Sequence, residues 1–160
     1  MSQIDGSPDV AGLEHLEPVE EPSFAVTTAL WVAAGLAVAL QLFEIYRPIG
    51  PPQAKLFPSA DKVGHLLGFA APITLLLLAR ARQLRDADRL RRFAAVLMAV
   101  FGAHAVVSEV IQAQLYTHRT GDPMDAVADL TGTVLGWAGF LVFQRRQQRL
   151  GHPVPARARP

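Results

Sequence analysis

Four stretches of this chain run nearly free of charge for about 20 residues each, the length a helix needs to cross a bilayer, and everything else about the fold has to fit around them. Residues 24–40 carry no charge, and the apolar character continues to Tyr46 past Gln41 and Glu44. Residues 63–79 have His65 as their one ionisable group, 93–115 contain His104, Ser108, Glu109, Gln112 and Gln114, and 124–143 contain Asp125 and Asp129. A helix of a soluble bundle repeats polar residues around most of each turn and keeps a single apolar stripe. Residues 30–40 and 72–79 are apolar all round. The expected fold class is therefore an all-α membrane protein, four transmembrane helices in a bundle, with the lipid bilayer as its first partner. Pro72 predicts a kink in the second helix.

The segments between these stretches set the orientation. Residues 1–23 hold six acids, no Lys or Arg and three prolines, the composition of a disordered acidic tail. They also lack the positive n-region of a secretory signal. Residues 80–92 carry six arginines, and 144–160 form a second basic segment, proline-bearing and expected to fray. If both tails and the 80–92 connector share a side, that side holds eleven of the fifteen Lys and Arg; Arg47, Lys55, Lys62 and Arg119 fall on the other. The positive-inside rule then puts both termini in the cytoplasm of a multi-pass plasma-membrane protein. The expected organisation is a cytoplasmic tail over 1–23, a membrane domain over 24–143 and a basic cytoplasmic tail over 144–160. Loops 47–62 and 116–123 face outward. A formal net charge of +1 leaves no surplus to neutralise phosphates, so nucleic acid is not an expected partner. The absence of cysteine excludes disulfides, thiol catalysis and thiolate-ligated metals.

In this topology the acids outside the tail and connector gather toward the outer end: Glu44, Asp61, Glu109, Asp122, Asp125 and Asp129. His65 lies four residues after Asp61, on the same helix face. Glu109 and Gln112 are i, i+3 neighbours, and Asp122, Asp125 and Asp129 form one stripe entering the fourth helix. At 1.5 Å per residue, Asp129 sits roughly 8 Å below Met124. An ionisable group at that depth costs at least about 2.5 kcal/mol unless paired or hydrated, which implies a shared polar pocket. Gly132 and Gly136 continue the Asp129 face as a small-xxx-small surface for close helix approach. Simpler roles exist for several of these residues. Asp122 before Pro123 has the form of an N-cap, with Asp125 at N3 favouring the helix dipole. Ser59 or Asp61 would cap the second helix, His104 suits an interhelical hydrogen bond, and Glu44 and Arg119 suit the interface or a solvated loop. Capping accounts for none of His65, Glu109 and Asp129.

The blocks Asp61-Lys62-x-x-His65-x-x-x-Phe69, Glu109-x-x-Gln112, Arg119-x-x-Asp122-x-x-Asp125 and Asp129-x-x-Gly132-x-x-x-Gly136, in that order, resemble the VanZ-like family. That family is named for a teicoplanin-resistance accessory protein. The resemblance spans roughly residues 24–143 and implies a small polytopic membrane protein with an outward polar site and a bacterial cell-envelope setting. Where this chain has Asp129 the family more often shows asparagine, so a role carried over to that position acquires a negative charge or a proton.

Three functions fit these residues. In the first, the pocket binds or modulates an envelope lipid, a peptidoglycan precursor or a glycopeptide antibiotic, with Lys62, Gln112, Arg119, Asp122 and Asp125 as binding groups. In the second, it is a membrane enzyme acting on a lipid-linked envelope substrate. There His65, held by Asp61, is the general acid/base, and Glu109 and Asp129 bind substrate or share a proton; Lys62 and Arg119 grip a phosphate or carboxylate. The third is a small proton-coupled transporter. The sequence specifies no cofactor and, because donors on separate helices have no readable spacing, no metal ligand is assigned. A divalent cation on His65, Glu109, Asp125 and Asp129 is a variant of the enzyme reading.

Overall fold

A computed structural model describes residues 24–47, 59–84, 86–116 and 121–151. They form four helices: α1 (Phe24–Tyr46), α2 (Ala60–Ala81), α3 (Ala87–Leu115) and α4 (Pro123–Gly151). No strand occurs among the described residues. Each helix is long and apolar enough to cross a membrane. The acidic segment 1–23, most of the 47–62 loop, Arg85, Arg119 and residues 152–160 lie outside the described residues.

Three helices start or end elsewhere than the charge pattern suggested: α2 begins at Ala60, inside the expected 47–62 loop, and α3 and α4 depart further. α3 begins at Ala87, six residues ahead of the apolar stretch, because Asp86 caps it: its carboxylate accepts the N–H groups of Asp88 (2.9 Å) and Arg89 (3.2 Å). The arginines at 89, 91 and 92 are thus helical, their apolar stems extending the helix beyond the span. α4 continues past Phe143 to Gly151 through Gln and Arg, which are good helix formers. The basic segment expected as a tail over 144–160 is helical as far as it is described. α2 runs unbroken through the buried Pro72. Ser59 stands at its N-cap position with φ 65°, in the left-handed region, and makes no side-chain cap.

Successive helices run in opposite directions, so the C-terminal ends of α1 and α3 lie at the same end of the bundle as the N-terminal ends of α2 and α4. Tyr116 Oη donates to the carbonyl of Tyr46 (2.8 Å), and Gln112 Nε2 donates to that of Ile45 (3.3 Å). At the opposite end Arg82 Nε donates to Thr27 Oγ1 (3.2 Å), and Arg80 stacks over Phe93. That end also carries Arg89, Arg91, Arg92, Arg145, Arg146 and Arg149. α2 is central. It packs most extensively on α4, then on α1, and also touches α3, whereas α1 and α4 do not touch among the described residues.

The buried core is small: Phe69, Ile73, Leu77, Phe101, Ala105 and Phe140, with Ile45 and Ala94 at its margins. Phe69 meets Phe101 edge-on at 5.9 Å between centroids, a favoured aromatic geometry. Most of the apolar surface points outward instead, including Val32, Leu36, Leu40, Phe43, Val100, Val106, Val134, Leu135 and Val142. In the apolar window of α1 only 11% of residues are buried, and 28% in each of the other three. In water such a surface would far exceed the apolar patch a monomer tolerates; in lipid it needs no cover.

α2 and α4 run parallel and come close enough for backbone contact. A Cβ on Gly136 would stand 2.6 Å from the carbonyl oxygen of Ala70, and one on Gly132 would lie 3.1 Å from Leu66 Cα. Thr74 Oγ1 adds a hydrogen bond to the Gly136 carbonyl (3.1 Å) while also donating to Ala70 O (2.8 Å).

Candidate functional site

The close α2–α4 seam continues upward into a polar cluster. Both helices present their N-termini there, where the partial positive charge of the dipole favours carboxylates. Asp122 caps α4, its Oδ1 accepting the Met124 N–H at 2.9 Å, and Asp125 stands in the first turn. Lys62 Nζ reaches across from α2 to Asp122 Oδ2 (2.7 Å) and Asp125 Oδ1 (2.8 Å). The ammonium beside it and the Met124 N–H hold the Asp122 carboxyl below the usual carboxylate range.

One turn further in, His65 lies between two carboxylates of α4. Its Nδ1 is 3.0 Å from Asp129 Oδ1 and its Nε2 is 3.6 Å from Asp125 Oδ2. The first contact is a hydrogen bond; the second is slightly too long for one. α3 closes the third side with Glu109, whose Oε2 accepts the Asp122 N–H at 2.9 Å. That bond is possible because Gly121 packs against α3: a Cβ there would fall 2.6 Å from the Glu109 carbonyl oxygen. One donor atom from each of His65, Glu109 and Asp129 lies within 4.8 Å of the others.

Burial is graded along this seam. The Asp61 side chain is 61% exposed and that of Asp122 43%, forming a rim; Lys62 is at 29%, and His65 and Asp125 are near 15%. Asp129 at the floor is fully buried, and Glu109 nearly so. Two floor oxygens, Glu109 Oε1 and Asp129 Oδ2, have no hydrogen-bond partner. Buried polar atoms are rarely left so. Beneath the floor, His104 stacks on Phe69 (5.6 Å) and bonds Tyr46 Oη through Nε2 (3.1 Å), separating the cluster from the apolar core.

The cluster brings together Lys62, His65, Glu109, Asp122, Asp125 and Asp129. It leaves other candidates aside. Asp61 does not hold His65; its carboxylate points out to the rim, 3.8 Å from Lys62. An i, i+4 pair shares a helix face, but α4 supplies Asp129 from the more buried side, and the imidazole turns to it. Gln112 ties α3 to the end of α1. Lys62, expected to grip an anion, has its ammonium already engaged by two carboxylates. Arg119 lies outside the described residues. Tyr46 and Tyr116, not singled out by the sequence, tie the ends of α1 and α3 together, and Tyr46 Oη holds His104 beneath the cluster; an aromatic hydroxyl at the end of an apolar run is their one trace in the sequence.

The arrangement suits proton transfer at His65, whose tautomer a carboxylate fixes, and recognition of hydroxyl or amine donors by the rim carboxylates. No protein-family model, curated protein or solved structure matches this chain.

Proposed function

We propose that this is a VanZ-like plasma-membrane protein that binds a cell-envelope molecule in a pocket at the outer end of its bundle. The ligand class is an envelope lipid, a peptidoglycan precursor or a glycopeptide antibiotic. The observation that carries the reading is the graded cluster from Asp61 and Asp122 down to Glu109 and Asp129, built into an apolar bundle where such groups are costly. The basic residues at the opposite end support an inward-facing arginine end, with both termini cytoplasmic. Carboxylates outnumber cations around the pocket, which favours a headgroup offering amines and hydroxyls over one presenting phosphate alone.

A second reading has its own support. His65 between Asp129 and Asp125, with Glu109 opposite, has the layout of acid/base machinery. An enzyme would turn an envelope molecule over rather than only hold it.

One experiment separates the two. Cells lacking the protein are complemented with the wild type or with His65→Ala, Glu109→Ala or Asp129→Ala, and membrane insertion is checked for each. Extracted lipids and wall fragments are then compared by mass spectrometry. Binding alone predicts retention of an envelope molecule by the purified wild type and not by the variants, with no new mass in the cell. A mass change dependent on His65 establishes turnover. Neither retention nor a mass change would remove both readings.

A further inference from the structure

Two buried carboxylates at the floor of the site are short of positive charge. Lys62 is committed to Asp122 and Asp125, so Glu109 and Asp129 share one imidazole between them. Each also has an oxygen with no partner, Oε1 of Glu109 and Oδ2 of Asp129, on residues at least nine-tenths buried. Uncompensated charge in a dry site is expensive. A divalent cation would meet both deficits at once, the missing charge and the missing partners.

We propose that His65, Glu109 and Asp129 bind one divalent transition-metal ion, Zn²⁺ or Mn²⁺. This goes beyond the envelope-binding reading and does not depend on it. The spacing is close to what an ion requires. Two ligands about 2.1 Å from one metal stand roughly 3.0–3.4 Å apart, and His65 Nδ1 is already 3.0 Å from Asp129 Oδ1. One donor atom from each of the three residues already lies within 4.8 Å of the others, so an ion has to draw the remaining pairs together by rotation of the side chains. The ion replaces the hydrogen now between His65 Nδ1 and Asp129 Oδ1, and bidentate binding by the Asp129 carboxylate gives Oδ2 its partner.

The outer contacts fit the same assignment. A metal-bound histidine commonly turns its other ring nitrogen to a carboxylate; His65 Nε2 faces Asp125 Oδ2 at 3.6 Å, and Lys62 anchors Asp125. Glu109 Oε2 is pinned by the Asp122 N–H, leaving Oε1 free to bind. One imidazole and two carboxylates are a mixed nitrogen and oxygen set, favouring a transition ion over Ca²⁺ with its six to eight oxygens. Three protein ligands leave coordination positions open toward the rim.

The test uses the full chain, purified in detergent without a histidine tag, stripped with chelator and titrated with Zn²⁺ or Mn²⁺. One ion per chain is expected at micromolar affinity or tighter. Glu109→Gln and Asp129→Asn should each weaken binding on the order of 100-fold, while Gly139→Ala, outside the cluster and with nothing within 4 Å of its new Cβ, keeps full binding. X-ray absorption of the Zn²⁺-loaded wild type provides a readout independent of whether the variants fold, and should find one imidazole nitrogen with oxygen ligands. Absence of stoichiometric binding to the wild type overturns the proposal, leaving the deficit to be met by protons. Two or more imidazoles around the zinc, or full binding by folded Asp129→Asn, overturns it equally.

Discussion

Replacing Gly136 by alanine tests the packing on which the whole seam depends. The new Cβ would stand 2.6 Å from Ala70 O and 3.1 Å from Ala70 Cα, both backbone atoms of α2. Ordinary contact begins near 3.4 Å, so the two helices must part by roughly 0.4–0.8 Å, the difference a repulsive carbon–oxygen approach demands. Overpacking of this kind costs about 1–3 kcal/mol. The Thr74–Gly136 hydrogen bond, 3.1 Å long, would stretch out of range and remove about 0.6 kcal/mol more, the average for such bonds in membranes. Alanine also regains helix propensity, about 1 kcal/mol, and that gain must be subtracted. Gly139→Ala supplies the correction, because its Cβ meets nothing within 4 Å and it lies in the same helix. The difference between the two variants isolates the clash, expected at about 2 kcal/mol or more. Reversible unfolding in mixed detergent micelles, followed by helicity or steric trapping, measures it. If Gly136→Ala and Gly139→Ala agree within about 0.5 kcal/mol, α2 and α4 are not in backbone contact and the argument fails.

Other measurements reach other parts of the molecule. Asp86→Ala removes the cap that sets the start of α3 and should cost about 1 kcal/mol in the same assay; no loss would mean that the helix begins elsewhere. Asp122 has a folded-state pKa below its ordinary value of 3.8, chiefly through Lys62, so its stabilising contribution is complete above that value and fades as pH falls through the lower one. Asp122→Asn should accordingly be less stable than the wild type near pH 6, with the difference shrinking progressively as the pH is taken below 3.8, and a difference that stays constant on acidification would contradict the ion pair. The chain has no cysteine, so Ser59→Cys and Gln83→Cys can report topology with an impermeant maleimide. Ser59→Cys should label in intact cells and Gln83→Cys only after permeabilisation; the reverse pattern would turn the protein over.

The helices were legible because lipid imposes a crude rule, about 20 apolar residues per crossing, which 24–46 and 63–79 meet without help from neighbours. Their polar ends were not. Arg89, Arg91 and Arg92 look like a loop by charge, yet α3 already includes them, since water-side helix turns tolerate any good helix former. The members of the site could be picked out for the opposite reason: Glu109, Asp129 and His65 are conspicuous in apolar sequence because nothing local explains their cost. Their pairing could not be picked out. His65 and Asp61 share a helix face, but the competing carboxylate arrives from α4, and no spacing within one helix encodes a contact across two. The same holds for Lys62, which reads as a free cation until α4 brings Asp122 and Asp125 against it.

Packing and chemistry on α4 are therefore one design. Asp129, Gly132 and Gly136 recur at intervals of three and four, so they share a face, and that face meets α2 at His65, Leu66 and Ala70 in turn. The glycines draw the backbones together one and two turns below the carboxylate. Asp129 has a short side chain, and its 3.0 Å contact with His65 has about half an ångström of tolerance before it ceases to be a hydrogen bond. A seam widened by one methyl group would exhaust that tolerance and leave the buried Asp129 carboxyl without its partner. Small residues at the seam and acids at its mouth thus constrain each other: the acids are tolerable in the membrane only where the helices touch, and the helices touch there because α4 carries nothing larger than hydrogen at 132 and 136.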